Sequence, residues 1–170
     1  MDEQVTPFEV ITDRLLRKIE KDKDFFSYYN VPVSDIQDLV EEQAIGYLYD
    51  AIDLLISQCE PEVNFYDYDE ENDWFNFELT QREIGLLASL MYQVYFERDE
   101  AMLKAFKLQM TPNDLRVFSP ANERKTFMDM LAQIKEKNTN DIARYIGTDR
   151  LTGQRKSINH SLYDYTPGEY

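Results

Sequence analysis

Two short runs in the second half of the chain decide its architecture: TQREIGLLASLM at 80–91 and TPNDLRVFSPAN at 111–122. In the first, Thr80 and Glu83 stand at capping-box spacing. Ile84, Leu87, Ala88, Met91, Val94 and Tyr95 then repeat along one stripe, which predicts a helix from Thr80 to about Leu108. In the second run, Thr111 precedes Pro112 and Ser119 precedes Pro120. Each pair is a cap residue followed by a proline suited to a first helical position. Beyond Ser119, Phe127, Met130, Leu131, Ile134, Ile142 and Tyr145 keep the helical period as far as Gly147, which reads as a C-cap. Two long helices joined by a short hinge should lie roughly antiparallel.

Upstream the same logic gives two more helices. Ser34 with Gln37 opens one that reaches about Gln58, apolar over a wide stripe and stopped by Pro61. Thr6 with Glu9, and Pro7 between them, predicts an amphipathic helix from Thr6 to about Lys23 that buries Phe8, Ile11, Leu15 and Ile19. The aromatics Phe25, Phe26, Tyr28 and Tyr29 between these helices suit a lid on the core or an exposed patch for a partner.

Residues 60–78 break the helical pattern. They carry eight acids and no base, interleaved with Phe65, Tyr66, Tyr68, Trp74, Phe75 and Phe77. Alternation from Trp74 to Leu79 predicts a strand with Phe75, Phe77 and Leu79 on one face. A small hairpin with 63–68 would complete it. Asp67, Asp69, Glu71, Asp73 and Glu78 match positions of a twelve-residue calcium loop. Against that reading, Asn72 stands where the turn wants glycine, and flanking helices are missing. An acidic, solvated loop over buried aromatics is the expectation, with no metal and no cofactor.

Composition bounds the function. The formal net charge is −15, which opposes wrapping around duplex DNA as a sequence reader. A single Cys59 excludes an internal disulfide or a cysteine zinc cluster. A single His160, no glycine-rich phosphate loop and no paired nucleophile and base leave no catalytic constellation, so an enzyme is not expected. Neither a signal peptide nor a membrane span is expected.

The periodic pattern ends at Gly147. Residues 144–170 hold four bases and three acids, against fourteen bases and thirty acids in the rest of the chain. The organisation expected is a mainly α domain at 1–147, a bundle of about four long helices with an acidic-aromatic loop or β-hairpin insertion at 60–79. An extended C-terminal arm at 148–170 should follow. Arg150, Arg155, Lys156, Tyr163, Tyr165 and Tyr170 are its candidate anchors on a partner.

The second half resembles the head–tail adaptor, or neck, proteins of tailed bacteriophages. The resemblance rests on EIGLLASLM at 83–91, on the turn Phe118, Ser119, Ala121 and Asn122, and on the Arg144-Tyr145 ending of the last helix. It covers about half the chain. It implies a structural virion protein made in the host cytoplasm and placed at the neck. Copies would form a ring, commonly of twelve, below the portal protein, with the arm docked on the portal. The ring would meet further neck or tail-completion proteins. DNA would pass through its channel without sequence-specific binding, and no membrane is involved. The charge alone leaves a second reading open, an acidic DNA mimic that inhibits a nucleic-acid-binding enzyme.

Overall fold

The computed structural model describes residues 5–19, 33–109 and 121–157. They are mainly helical. Four helices, α1 (Glu9–Ile19), α2 (Val33–Gln58), α3 (Gln81–Gln109) and α4 (Ala121–Ile146), accompany a small antiparallel sheet. The sheet is built from β1 (Thr6–Pro7), β2 (Tyr68–Asp69) and β3 (Trp74–Phe75) in the order β1-β3-β2.

Helix α3 is the hub, packed by α1, α2 and α4. Its stripe Ile84, Leu87, Ala88, Met91 and Tyr95 is buried, as the period required. Leu48, Ala51, Ile52 and Leu55 of α2 close over it, with Ile11, Leu15 and Ile19 of α1 beside them. Helix α4 runs antiparallel to α3. Tyr145 meets Glu83 near the start of α3, Asn138 meets Ser89 and Gln93, Lys135 meets Glu97, and Phe127 meets Phe96. Leu131, Ile142 and Tyr145 are buried, with Phe127, Met130 and Ile134 packed at the edge.

The first helix starts later than the sequence suggests. Thr6 and Pro7 form an edge strand on β3, with Thr6 opposite Phe75 and Pro7 opposite Trp74. The Thr6 hydroxyl donates to the Phe77 carbonyl (3.2 Å) and accepts from the Leu79 N–H (2.8 Å). Those bonds reach 71 and 73 residues along the chain, so a local pattern could not reveal them. Pro7 suits an edge strand as well as a helix start, because it lacks the N–H that either place would leave unused. The Phe8 carbonyl instead takes the first-turn N–H groups of Ile11 and Thr12. Within the described residues α1 spans 11 residues, Glu9–Ile19.

The acidic-aromatic segment forms a hairpin shorter than expected. Tyr68 pairs with Phe75 and Asp69 with Trp74 across the turn 70–73. Asp73 adopts φ 55°, a conformation that a short polar side chain tolerates. The hairpin holds because its apolar face is roofed. Phe75 lies edge-on to Phe8 (5.1 Å) and Phe77 (5.5 Å), and Tyr68 stacks on Tyr49 of α2 (5.3 Å). The Phe75, Phe77, Leu79 alternation holds, with Asn76 and Glu78 turned to solvent.

Candidate functional site

The place where the C-terminal segment meets the body centres on Glu83. The capping box puts it there. Its backbone N–H donates to the Thr80 hydroxyl (3.3 Å), and its Oε2 accepts from the Thr80 N–H (2.7 Å) and hydroxyl (2.9 Å). The next turn of α3 is core, so this carboxylate is drawn into the interior and is fully buried. Its other oxygen, Oε1, accepts from the Tyr145 hydroxyl at the end of α4 (2.8 Å) and from Nε of Arg150 (2.7 Å). Arg150 also donates to the Glu78 carbonyl and lies 5.8 Å from the centre of the Phe77 ring. The end of α4 and the turn after it, 62 and 67 residues along the chain, converge on one carboxylate.

The electrostatics follow from that arrangement. Burial pushes the Glu83 carboxyl up, but the hydrogen bonds from Arg150, Thr80 and Tyr145 outweigh it and hold the group below the usual carboxylate range. Burial first, then the bond to Glu83 and its charge, push the Tyr145 phenol up. Tyr145 thus stays a donor and Glu83 an anion. Four donors occupy the carboxylate, so the arrangement fastens chain to chain and leaves no lone pair turned toward a substrate.

Residues 147–156 complete the junction. Thr148 caps α4, its hydroxyl donating to the carbonyls of Arg144 (3.0 Å) and Tyr145 (3.1 Å) and accepting from Arg82. Gly147 ends the helix without a left-handed φ; that conformation falls at Gly153 (φ 68°), in the turn that follows. Asp149 Oδ1 gathers the Leu151 and Thr152 N–H groups, and Thr148 bridges back to Arg155. Lys156 reaches Glu62 (2.6 Å), pinning the turn to the α2–β2 connection. Leu151, at the tip, is 80% exposed.

The expected arm residues therefore divide. Arg150 and Lys156 are engaged inside the molecule, and Arg155 is exposed on the turn. The stretch 148–156, assigned to an extended arm by its composition, is folded onto the helical body. Tyr163, Tyr165 and Tyr170 lie outside the described residues, as do Phe118, Ser119, His160 and the 25–29 aromatics. Ala121 opens α4 and Asn122 follows it. The calcium-loop acids do not converge. Asp69 accepts from the Glu71 and Asn72 N–H groups and the Asn72 amide, and Asp67 accepts from Asn76. Among the described residues no group of three or more His, Cys, Asp or Glu is placed to hold a metal ion. No described helix is long and apolar enough to cross a membrane.

Reading residues alone treated Glu83 as a cap and missed its second role. One signal was present. Tyr145 falls on the buried stripe of α4, and a buried tyrosine hydroxyl needs a partner. Comparison with family models, curated proteins and solved structures returns no match for this chain.

Proposed function

We propose that this chain is a structural head–tail connector subunit of a tailed-phage virion. In this reading the four helices act as one bundle that repeats around a ring, twelvefold by resemblance, below the portal. Neck or tail-completion proteins would join on the far side, and the ring would extend the DNA channel toward the tail. The observation that carries the reading is the position of the resembling runs. EIGLLASLM opens α3, and Ala121 and Asn122 of the second run open α4, the helix that packs antiparallel on it. The Glu83 junction supports it, because it ties the residues that follow α4 to the body. An arm that pulls on a partner needs such an anchored root. A net charge of −15 suits a channel wall, since phosphates gain nothing from a surface that neutralises none of them.

Within the proposed arm, 158–170 is then the part offered for docking on the portal. The test is co-sedimentation of the purified chain with portal rings. The full chain should bind, and a chain ending at residue 157 should stay folded and fail to bind. Equal binding by both would remove the arm from the account. The DNA-mimic alternative predicts instead capture of a nucleic-acid-binding enzyme, weakening steeply with salt.

A further inference from the structure

On α3, Arg82, Gly85 and Ser89 fall on one helical face, and on α4, Lys137, Asp141 and Arg144 do the same. The two faces border a hollow of about 280 Å³, kept open by the small Gly85 and Ser89. Three cations line it against one acid, and that acid, Asp141, already pairs with Lys137 (3.5 Å). Arg82 and Arg144 remain. Among the described residues no acid pairs with either of them, nor with Arg14 and Lys18 of α1. Arg98, Lys135, Arg150 and Lys156, by contrast, each hold a carboxylate.

Neutral partners position the cations here. Arg82 donates to the Thr148 hydroxyl and lies 5.9 Å from the centre of the Tyr145 ring. Arg14 donates to the Gln81 carbonyl (3.5 Å) and to the Gln81 side-chain oxygen. Its Nη1 is 3.8 Å from the point where a Cβ on Gly85 would stand, so a third guanidinium borders the glycine. Lys18 donates to Ser89 (3.1 Å). Hydroxyls, amide oxygens and an aromatic face fix where a cation sits without cancelling its charge. Burial lowers the Lys18 amine, and the neighbouring Lys137 and Arg14 charges lower it further, so like charges crowd one another at this place. An anion between them would relieve that repulsion.

We propose that this hollow binds a small phosphate-class anion, a phosphate monoester or a diphosphate, between Arg82 and Arg144. Two guanidinium forks carried by different helices suit a tetrahedral group with oxygens on several sides. A carboxylate, with two oxygens in one plane, is satisfied by a single fork. The volume lies at the lower end of the range for ligand sites, which favours a compact ligand. So does the rest of the chain, whose net charge of −15 repels a long polyanion while a local positive hollow still attracts a small one. The site stands on these residues alone and is independent of the connector reading.

The test is isothermal titration calorimetry on the full chain with inorganic phosphate and with pyrophosphate, at fixed ionic strength. Wild type should bind both saturably, pyrophosphate the more tightly. Arg144→Gln should weaken binding about tenfold or more, because a charge-assisted hydrogen bond is lost. Asp141→Asn, which removes the acid from the lining, should tighten it about threefold. Arg155→Gln removes an exposed charge on the C-terminal turn and should leave binding unchanged. Arg144 is exposed and holds no acid, so its variant should keep the wild-type circular dichroism spectrum. Arg82 stays in place because it also holds Thr148. Wild type without a saturable heat overturns the inference. Equal weakening by Arg144→Gln and Arg155→Gln overturns it too, since the anion would then follow overall charge and not this hollow. An oligothymidylate without a terminal phosphate that binds more tightly than pyrophosphate, and competes with it, would make the hollow a nucleic-acid surface and overturn it equally.

Discussion

Glu83 is a buried anion whose cationic partner, Arg150, comes from beyond the last helix. Removing one side of such a pair strands the other. Arg150→Ala should therefore destabilise the protein by about 3 kcal/mol in urea unfolding. A loss below about 0.5 kcal/mol would mean the pair is no better than a surface contact. The pH dependence has a definite sign. Because the folded carboxyl sits below its unfolded value of about 4.3, its contribution is complete above that pH and is lost as pH falls through the folded value. Glu83→Gln should thus be less stable than wild type near neutrality, with the gap closing in acid. A gap of constant size from neutral to strongly acid pH would contradict the assignment. At this scale the sequence showed the cap and hid the ion pair. Thr80 and Glu83 are three residues apart, while Arg150 lies 67 residues from Glu83.

At the scale of elements, the helices were legible because α2, α3 and α4 each repeat their apolar residues over several turns. Asn138 shows where that legibility stops. It sits on the buried face of α4 and donates to the Ser89 carbonyl (3.1 Å) and Gln93 Oε1 (2.9 Å), a polar contact that periodicity cannot predict. Strand β1 was misread for a related reason. Thr6, Pro7 and Glu9 satisfy a helix-start pattern, yet Thr6 spends its hydroxyl on Phe77 and Leu79, just beyond the neighbouring strand β3. Thr6→Val should leave the Leu79 N–H without its acceptor and cost about 1–2 kcal/mol. Trp74, paired across from Pro7, should shift its fluorescence as the sheet edge loosens. An unchanged stability and spectrum would mean that β1 contributes nothing to holding the hairpin.

For the molecule as a whole, the charge contrast between residues 144–170 and the rest was readable in composition, but the contacts of Arg150 and Lys156 with the body were not. Arg150 and Lys156 look like arm residues by sequence and are body residues by contact, with Glu83 and Glu62. Two truncations should separate the roles. A chain ending at residue 147 loses Arg150 and should unfold at lower urea, by about 3 kcal/mol. A chain ending at residue 157 keeps the junction and should match wild-type stability. Equal stability of the two would show that the 148–156 turn does not hold the body.

A head–tail connector subunit, the role proposed for this chain, is a built-in part of a tailed particle. Quantitative mass spectrometry of purified particles tests it most directly. The chain is expected in the particles, at several copies and in a fixed ratio to the portal protein. Its absence from particles, with the chain recovered only from the soluble cell fraction, would rule out a connector role.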